Sequence, residues 1–183
     1  ESGSRTTADY LDFDRTLNKG FSLLDDPKTK SFGLYLIMAV NTGLRAKDLR
    51  RMKWENVTDG EIKLLESKTK KYRSIKLNKN ILRGFQKFQI KEGLMFKSQK
   101  GSPFSIQHIN YLLKEHFSIE SKKYNVSSHS LRKGFGRRVY ENNGQSEKSL
   151  VYLSELFNHS SMAITRRYLG IRQEELDDIY TNL

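Results

Sequence analysis

The 183-residue chain carries 33 lysine and arginine residues against 21 acidic ones, a net charge of +12, and its length suits one domain with a single core. It contains no cysteine, which excludes disulfides, thiolate nucleophiles and thiolate metal sites, and no apolar run approaches the roughly 18 residues of a membrane-spanning helix. A polyanion such as nucleic acid is the first candidate partner, although a basic surface that serves solubility gives the same composition.

The first predicted helix follows a polar N-terminal stretch. Residues 1–8 are small and polar, and we expect a linker or an expression remnant there. The segment 27–45 then has the apolar spacing of a core-facing helix. Its stripe consists of Phe32, Tyr35, Leu36, Ala39 and Val40. Gly43 is the predicted stop of this helix, and a shorter helix is predicted at 46–52.

A small antiparallel sheet is predicted next. Asp59 and Gly60 favour a tight hairpin turn, because both positions tolerate positive φ. Strands are predicted on both sides of that turn, at 54–58 and 61–67. A second turn at 69–71 returns the chain through a third strand, Y-R-S-I-K-L.

The rest of the chain is predicted to be helical. Capping residues and apolar spacing indicate helices at 78–93, 105–117, 127–140 and 146–157. Another helix is predicted in N-H-S-S-M-A-I-T-R-R-Y, capped by Ser160 or Ser161. A last apolar stripe consists of Leu176, Ile179, Tyr180 and Leu183. The predicted fold class is therefore mainly α with a small three-stranded antiparallel β-sheet, in one domain spanning 1–183.

Basic side chains and a tyrosine follow one another in a suggestive order. Arg45 comes after N-T-G-L at the end of the buried helix, and Arg132 lies three residues after His129. Residues i and i+3 share a helix face, so His129 and Arg132 should point the same way. Taken singly, Arg45 is better explained as a helix-end arginine and His129 as a residue near a helix N-terminus. The complete order is Arg45, Lys68, His129, Arg132, His159 and Tyr168.

In this order the sequence resembles the catalytic domain of the tyrosine recombinase (phage integrase) family. T-G-L-R-A-K-D-L resembles its first arginine box, with Asp48 in the place of a supporting acidic residue. S-K-T-K-K-Y-R-S-I-K-L resembles the hairpin that carries the family's lysine, H-S-L-R-K-G-F-G-R-R the second box, and N-H-S-S-M-A-I-T-R-R-Y the last. Asn158 stands where the family usually has glycine, and asparagine also tolerates left-handed geometry.

The resemblance implies a reaction on a phosphodiester. Tyr168 would cleave one DNA strand, leaving a 3′-phosphotyrosyl linkage and a free 5′-hydroxyl. Arg45 and Arg132 would stabilise the charge that grows on the phosphate oxygens, with Asp48 orienting Arg45 or His129. Neither a metal nor another cofactor is expected, because the arginines supply the positive charge.

The resemblance also implies roles in proton transfer. His129 is the candidate base for the tyrosine, and His159 is expected to donate a hydrogen bond to a phosphate oxygen. A hairpin lysine would protonate the departing 5′-oxygen. Lys68, Lys70 and Lys71 lie close together; the spacing favours Lys68, and Lys70 stays an alternative.

Partners follow from the same resemblance. Double-stranded DNA is the expected substrate, and the full-length parent is expected to form a homo-tetramer on it, while the isolated domain could be a monomer. The segment before Arg45 is too short for the family's N-terminal DNA-clamping domain, so we expect that domain to be absent. The helix at 171–183 would either dock on a neighbouring subunit or pack on its own domain. The protein is expected to be bacterial or phage-encoded and to lie in the cytoplasm, associated with the nucleoid.

Two alternatives stay open at this point. A type IB topoisomerase would use a similar active site to relax supercoils. A non-catalytic basic module would keep the fold and bind DNA without cleaving it. Loss or retention of a covalent DNA adduct in Tyr168→Phe separates chemistry from binding.

Overall fold

The computed structural model describes residues 8–183, so all of the predicted linker except Ala8 lies outside the described residues. The helices are α1 (Phe13–Ser22), α2 (Lys30–Thr42), α3 (Ala46–Leu49), α4 (Lys79–Phe85), α5 (Ile106–His116), α6 (Ser118–Lys123), α7 (Ser128–Asn142), α8 (Glu147–Phe157), α9 (Met162–Tyr168) and α10 (Ile171–Thr181). The strands are β1 (Val57–Thr58), β2 (Glu61–Leu65) and β3 (Tyr72–Lys76). The predicted fold class is confirmed.

The predicted helix at 27–45 is the centre of the main core. Nearly all of α2 is buried, including both sides of the predicted stripe. It contacts α1, α4 and α7. Gly43 ends α2 with φ of 64°, the left-handed conformation expected of a helix stop. Helix α1, which the apolar pattern did not predict, crosses α2 closely, because a Cβ on Gly33 would lie 2.6 Å from the carbonyl oxygen of Gly20.

The sheet has the predicted order β1-β2-β3, with both pairs antiparallel. Asp59 and Gly60 form its first turn with φ of 54° and 75°. The strand predicted at 54–58 is wrong in its first half, because Trp54–Asn56 forms a 3₁₀ turn that lets the Trp54 ring pack against Phe85 and Phe88. Strand β2 also ends earlier than predicted, at Leu65.

The helix predicted at 78–93 is too long. Asn78 caps it as expected, but α4 ends at Phe85. The chain then turns so that Phe88 reaches Trp54, and Gly93 pairs with the 3₁₀ turn through a hydrogen bond from the Trp54 amide to its carbonyl, 2.9 Å. Tertiary packing on one tryptophan therefore overrides the helical pattern here.

A second, smaller core joins the C-terminal helices to α7. Its buried members are Tyr140, Leu150, Leu153, Phe157, Leu169 and Ile171. Close packing depends on Gly136, where a Cβ would lie 2.6 Å from Leu169. The stripe predicted on the last helix points outward instead: Leu176, Ile179, Tyr180 and Leu183 are 40 to 99% exposed. Among the described helices, none has the length and apolar character to span a membrane.

Candidate active site

Arg45 lies between α2 and α3, directly before the first residue of α3, and its backbone is extended. Its side chain reaches Phe157 of the smaller core. One guanidinium nitrogen lies 3.3 Å from a carboxylate oxygen of Glu66. The other donates to the carbonyl of Phe157 at the end of α8, 3.2 Å away. Arginine at a helix C-terminus is favourable because the last carbonyls are unpaired and carry partial negative charge.

Arg132 reaches the same place from α7 and is only 7% exposed. It donates to the carbonyl of Gly43, 2.8 Å away, and its guanidinium carbon lies 4.4 Å from the centre of the Phe157 ring. Burial lowers its pKa to about 10, so the side chain stays charged at neutral pH. Arg45 and Arg132, 87 positions apart in the chain, thus meet at Phe157.

Tyr168 ends α9 against the same phenylalanine. Its ring centre lies 5.4 Å from that of Phe157 and 5.2 Å from that of His159. Burial raises the pKa of Tyr168, while the charges of Arg132 and Arg45 act in the opposite direction. The resting phenol is therefore neutral at pH 7 and needs a proton acceptor before it can attack.

His159 is placed by the turn that follows α8. Asn158 has φ of 55°, as its left-handed tolerance predicted, and the His159 amide donates to the Ser154 carbonyl, 2.8 Å away. Its ring nitrogen Nδ1 lies 2.9 Å from the hydroxyl of Thr165. Burial, followed by the charges of Arg132 and Arg45, lowers the pKa of His159 to about 4, so the ring is neutral at pH 7.

The predicted lysines stand on the rim of this cluster. Lys68 and Lys70 lie in the turn between β2 and β3 with exposed side chains, and Lys70 has φ of 57°. Lys71 donates to the side chain of Asn158, 3.1 Å away. The hairpin is therefore tied to the turn that carries His159, but through Lys71 and not through the lysine that the spacing favours.

His129 and Asp48 also lie beside the cluster. His129 is exposed at the first turn of α7, and partial loss of hydration and then the charges of Lys133 and Arg132 lower its pKa. Asp48 accepts a hydrogen bond from the backbone amide of Ser67, 2.9 Å away. Asp48 therefore holds the base of the hairpin, where the sequence predicted a contact with Arg45 or His129.

The carboxylate that binds Arg45 is Glu66, which the sequence analysis did not single out. It is 2% exposed and accepts hydrogen bonds from the side chains of Thr69 at 2.6 Å and Arg73 at 2.5 Å. Arg73 also donates to the carbonyl of Leu156. Glu66 therefore joins the first arginine, the hairpin and the end of α8. A sequence signal was available for Glu66. It follows Ile62 and Leu64 of β2 at the alternate spacing of a strand, which predicts that its side chain lies on the same inward side.

We expect Glu66→Gln to lower the free energy of unfolding by about 3 kcal/mol at pH 7, because it leaves two partly buried guanidiniums without their buried anion. Burial alone would raise the pKa of Glu66, but its hydrogen bonds and the charges of Arg73 and Arg45 outweigh this and lower it. A lowered pKa stabilises the fold above the unfolded value of 4.5, and that contribution is lost as the pH falls through the folded pKa. Urea denaturation at neutral and acid pH measures the difference, which should shrink in acid.

Glu155→Gln is the matched control for this experiment. Glu155 is exposed and lines, together with Glu66, a groove beside β3, so its substitution should change stability by less than about 0.5 kcal/mol. Equal losses in the two variants would contradict the bridging role of Glu66.

The described part of the chain contains no group of three or more His, Asp or Glu side chains placed to hold a metal ion.

The model of the phage integrase family matches residues 18–175. This range contains every residue of the cluster. The chain belongs to the phage integrase family.

Individual members of this family are similar over most of the chain. The probable integrase/recombinase YoeC of Bacillus subtilis is 30% identical over 152 residues, covering 80% of this chain and 81% of the relative. A tyrosine recombinase of Agathobacter rectalis is 27% identical, covering 78% of this chain and 48% of the relative. The chain thus spans about half the length of that second integrase family member.

Solved structures share the fold at lower identity. XerA recombinase superposes with a TM-score of 0.69 at 17% identity, covering 100% of this chain and 66% of that one. A lambda integrase dimer bound to a core site superposes with a TM-score of 0.66 at 20% identity, covering 92% of this chain and 61% of that one. The phage integrase fold is therefore present throughout the described part of this family member.

Proposed function

We propose that this chain is the strand-cleaving domain of a site-specific DNA recombinase, with Tyr168 as the nucleophile. The observation that carries the proposal is the meeting of Arg45, Arg132, His159 and Tyr168 around Phe157. Four polar side chains from separate elements meet at one ring, and this arrangement lets them act on one common group. A phosphodiester fits them, because it needs cationic donors on one side and a nucleophile on the other.

The two arginines suit the charge that develops during cleavage. A pentacoordinate phosphorus transition state carries more negative charge on its nonbridging oxygens than the ground state does. A guanidinium presents two parallel donors and stays ionised at physiological pH. Arg132 is held by the Gly43 carbonyl and the Phe157 ring, so it is in place before the substrate arrives. Such preorganised donors are typically worth about 3–4 kcal/mol each.

Proton transfer is assigned to residues at the edge of the cluster. We retain His129 as the candidate base for Tyr168 and Lys68 as the donor to the 5′-oxygen, with Lys70 as the alternative. Both roles require these exposed side chains to move inward when DNA binds, and Lys68 lies in the turn between β2 and β3. Asp48 accepts a hydrogen bond from the amide of Ser67, next to Lys68, and so fixes the base of that turn.

The wider assembly is also part of the proposal. The chain matches about half the length of two of the three relatives, and we propose that a longer parent adds DNA-clamping structure. We propose a homo-tetramer on DNA, in which the exposed stripe of α10 docks on a neighbouring subunit. The parent would act on the DNA of a bacterial or phage genome.

Recombination is favoured over supercoil relaxation by the kinds of protein that the chain resembles. Its relatives are an integrase/recombinase and two tyrosine recombinases, and one similar structure is XerH bound to its difH substrate.

Covalent capture of a suicide duplex, in which the cleaved end diffuses away and religation is blocked, tests the proposed chemistry. A protein–DNA adduct at Tyr168 is the expected product.

Salt dependence tests the partner separately from the chemistry. For duplex DNA the logarithm of the binding constant should fall against the logarithm of salt concentration with a slope of about −0.9 per phosphate contacted. With a net charge of +12, about three or more contacts are expected, which gives a slope of about −2.7 or steeper. Fluorescence anisotropy at several salt concentrations measures it, and a flat response would remove DNA as the partner.

A further inference from the structure

Two buried hydroxyl groups stand behind His159 and form a chain of hydrogen bonds. Ser154 Oγ lies 2.7 Å from the carbonyl oxygen of Leu150, one turn earlier in α8. Thr165 Oγ1 lies 2.7 Å from Ser154 Oγ and 2.9 Å from His159 Nδ1. Thr165 is fully buried and Ser154 nearly so, so this series of hydrogen bonds is shielded from solvent. These two hydroxyls thus link the Leu150 carbonyl to Nδ1 of His159.

The direction of each hydrogen bond in this chain follows from counting protons. A carbonyl oxygen only accepts, so Ser154 uses its single proton on Leu150. Thr165 must then donate to Ser154, and its own proton is used there. The remaining bond can form only if His159 Nδ1 carries the proton and donates to Thr165. A neutral imidazole has one N–H, so Nε2 is left as an acceptor.

We propose that Ser154 and Thr165 hold His159 in its Nδ1–H form, so that His159 donates to a bound phosphate oxygen only after it has taken up a second proton. Thr165 is then a positioning residue that acts through His159. The inference rests on the proposed function for the identity of the anion. The proton comes from solvent, and no bond to a heavy atom is made or broken.

The charges around His159 make this uptake depend on the anion. The charges of Arg132 in α7 and of Arg45 at the start of α3 act on the ring, while the neutral phenol of Tyr168 faces it from α9. Without a ligand, burial and the two arginines keep the ring neutral. An anion between the arginines offsets their charge and, at hydrogen-bonding distance, favours the imidazolium. Substrate binding and protonation should therefore be coupled.

The sequence places Thr165 for this role. It lies three residues before Tyr168, so both side chains project from the same side of α9. Ser154 lies four residues after Leu150, the spacing at which a serine bonds back to its own helix. Helices α8 and α9 thus bring both the hydroxyl pair and the tyrosine into contact with one histidine.

The protonation state can be read directly from the DNA-free chain labelled with ¹⁵N-histidine. The four histidines are distinguished with a His159→Gln variant. At pH 7 the two-bond ¹⁵N–¹H pattern should show the proton on Nδ1 of His159. Sulfate serves as the anion probe, because its charge is constant over the range of interest. Saturating sulfate should raise the pH at which His159 becomes half protonated by about 1 to 3 units.

Variants at Thr165 test whether the hydroxyls of Ser154 and Thr165 are what holds the proton on Nδ1 of His159. Thr165→Val has almost the same shape but no hydroxyl, so the proton should no longer be confined to Nδ1. Thr165→Ser keeps the hydroxyl and should restore the wild-type pattern. A proton on Nε2 in the wild-type chain, or an unchanged pattern in Thr165→Val, would overturn the proposal, and the wild-type spectrum decides even if a variant does not fold.

Failure here is distinguishable from failure of the proposed function. The tautomer is measured without DNA, whereas the proposed function depends on an adduct at Tyr168. An Nε2–H histidine with normal adduct formation would reject only the proposed control of the His159 tautomer. An Nδ1–H histidine in a chain that never forms an adduct would reject only the nucleophile assignment.

Discussion

Tyr168→Phe is expected to abolish covalent capture of a suicide duplex while DNA binding is retained. The substitution removes the phenolic oxygen of the proposed nucleophile and leaves the ring in contact with Phe157 and His159. Loss of a nucleophile typically costs on the order of 10⁶ in rate, which is below detection in a gel assay. Denaturing gels measure the adduct, and anisotropy on the same duplex measures binding.

A second tyrosine is the matched control for this loss. Tyr180 lies in α10 and is 74% exposed, so Tyr180→Phe removes a phenol of the same kind outside the cluster. It should form adducts at the wild-type rate. An adduct that survives in Tyr168→Phe but is lost in the control would move the nucleophile to α10.

Arg132→Ala is expected to slow cleavage by 10² to 10³-fold, about 3–4 kcal/mol, with a much smaller change in DNA affinity. The guanidinium is anchored at two points, the Gly43 carbonyl and the Phe157 ring, so it acts without reorganising when charge develops. Arg132→Lys should recover little of the rate, because an ammonium offers no planar pair of donors. Single-turnover cleavage at saturating protein separates the rate from binding.

Another arginine of the same helix controls for the loss of charge and packing. Arg138 in α7 pairs with Asp14 and stacks over the ring of Phe13, on the side that faces α1. Arg138→Ala should cleave at close to the wild-type rate. Thermal unfolding of each variant shows whether the fold survives, since Arg132 is buried. A wild-type rate in Arg132→Lys would contradict the need for a forked donor.

The secondary structure was largely predictable, because its causes are local. Gly43 stops α2, and Asp59 and Gly60 turn the hairpin, for backbone reasons that neighbouring residues alone determine. The long helices follow from apolar spacing in the same way. Errors arose where a distant side chain decided the outcome. Trp54 packs against Phe85 and Phe88. Because of these contacts its own segment is a 3₁₀ turn and not a strand, and α4 ends before Phe88.

The sequence by itself determined which chemical groups the chain possesses and their order, and that order was enough to suggest the family. Only the tertiary structure decided how they meet. Arg45 contacts Phe157 across 112 positions and Arg132 contacts Gly43 across 89, distances at which no periodic pattern carries information. The partner of Arg45 proved to be Glu66, and the proton on His159 is set by Thr165. Such contacts depend on the packing of separate elements, because a buried charge or hydroxyl takes whichever partner the fold brings within reach.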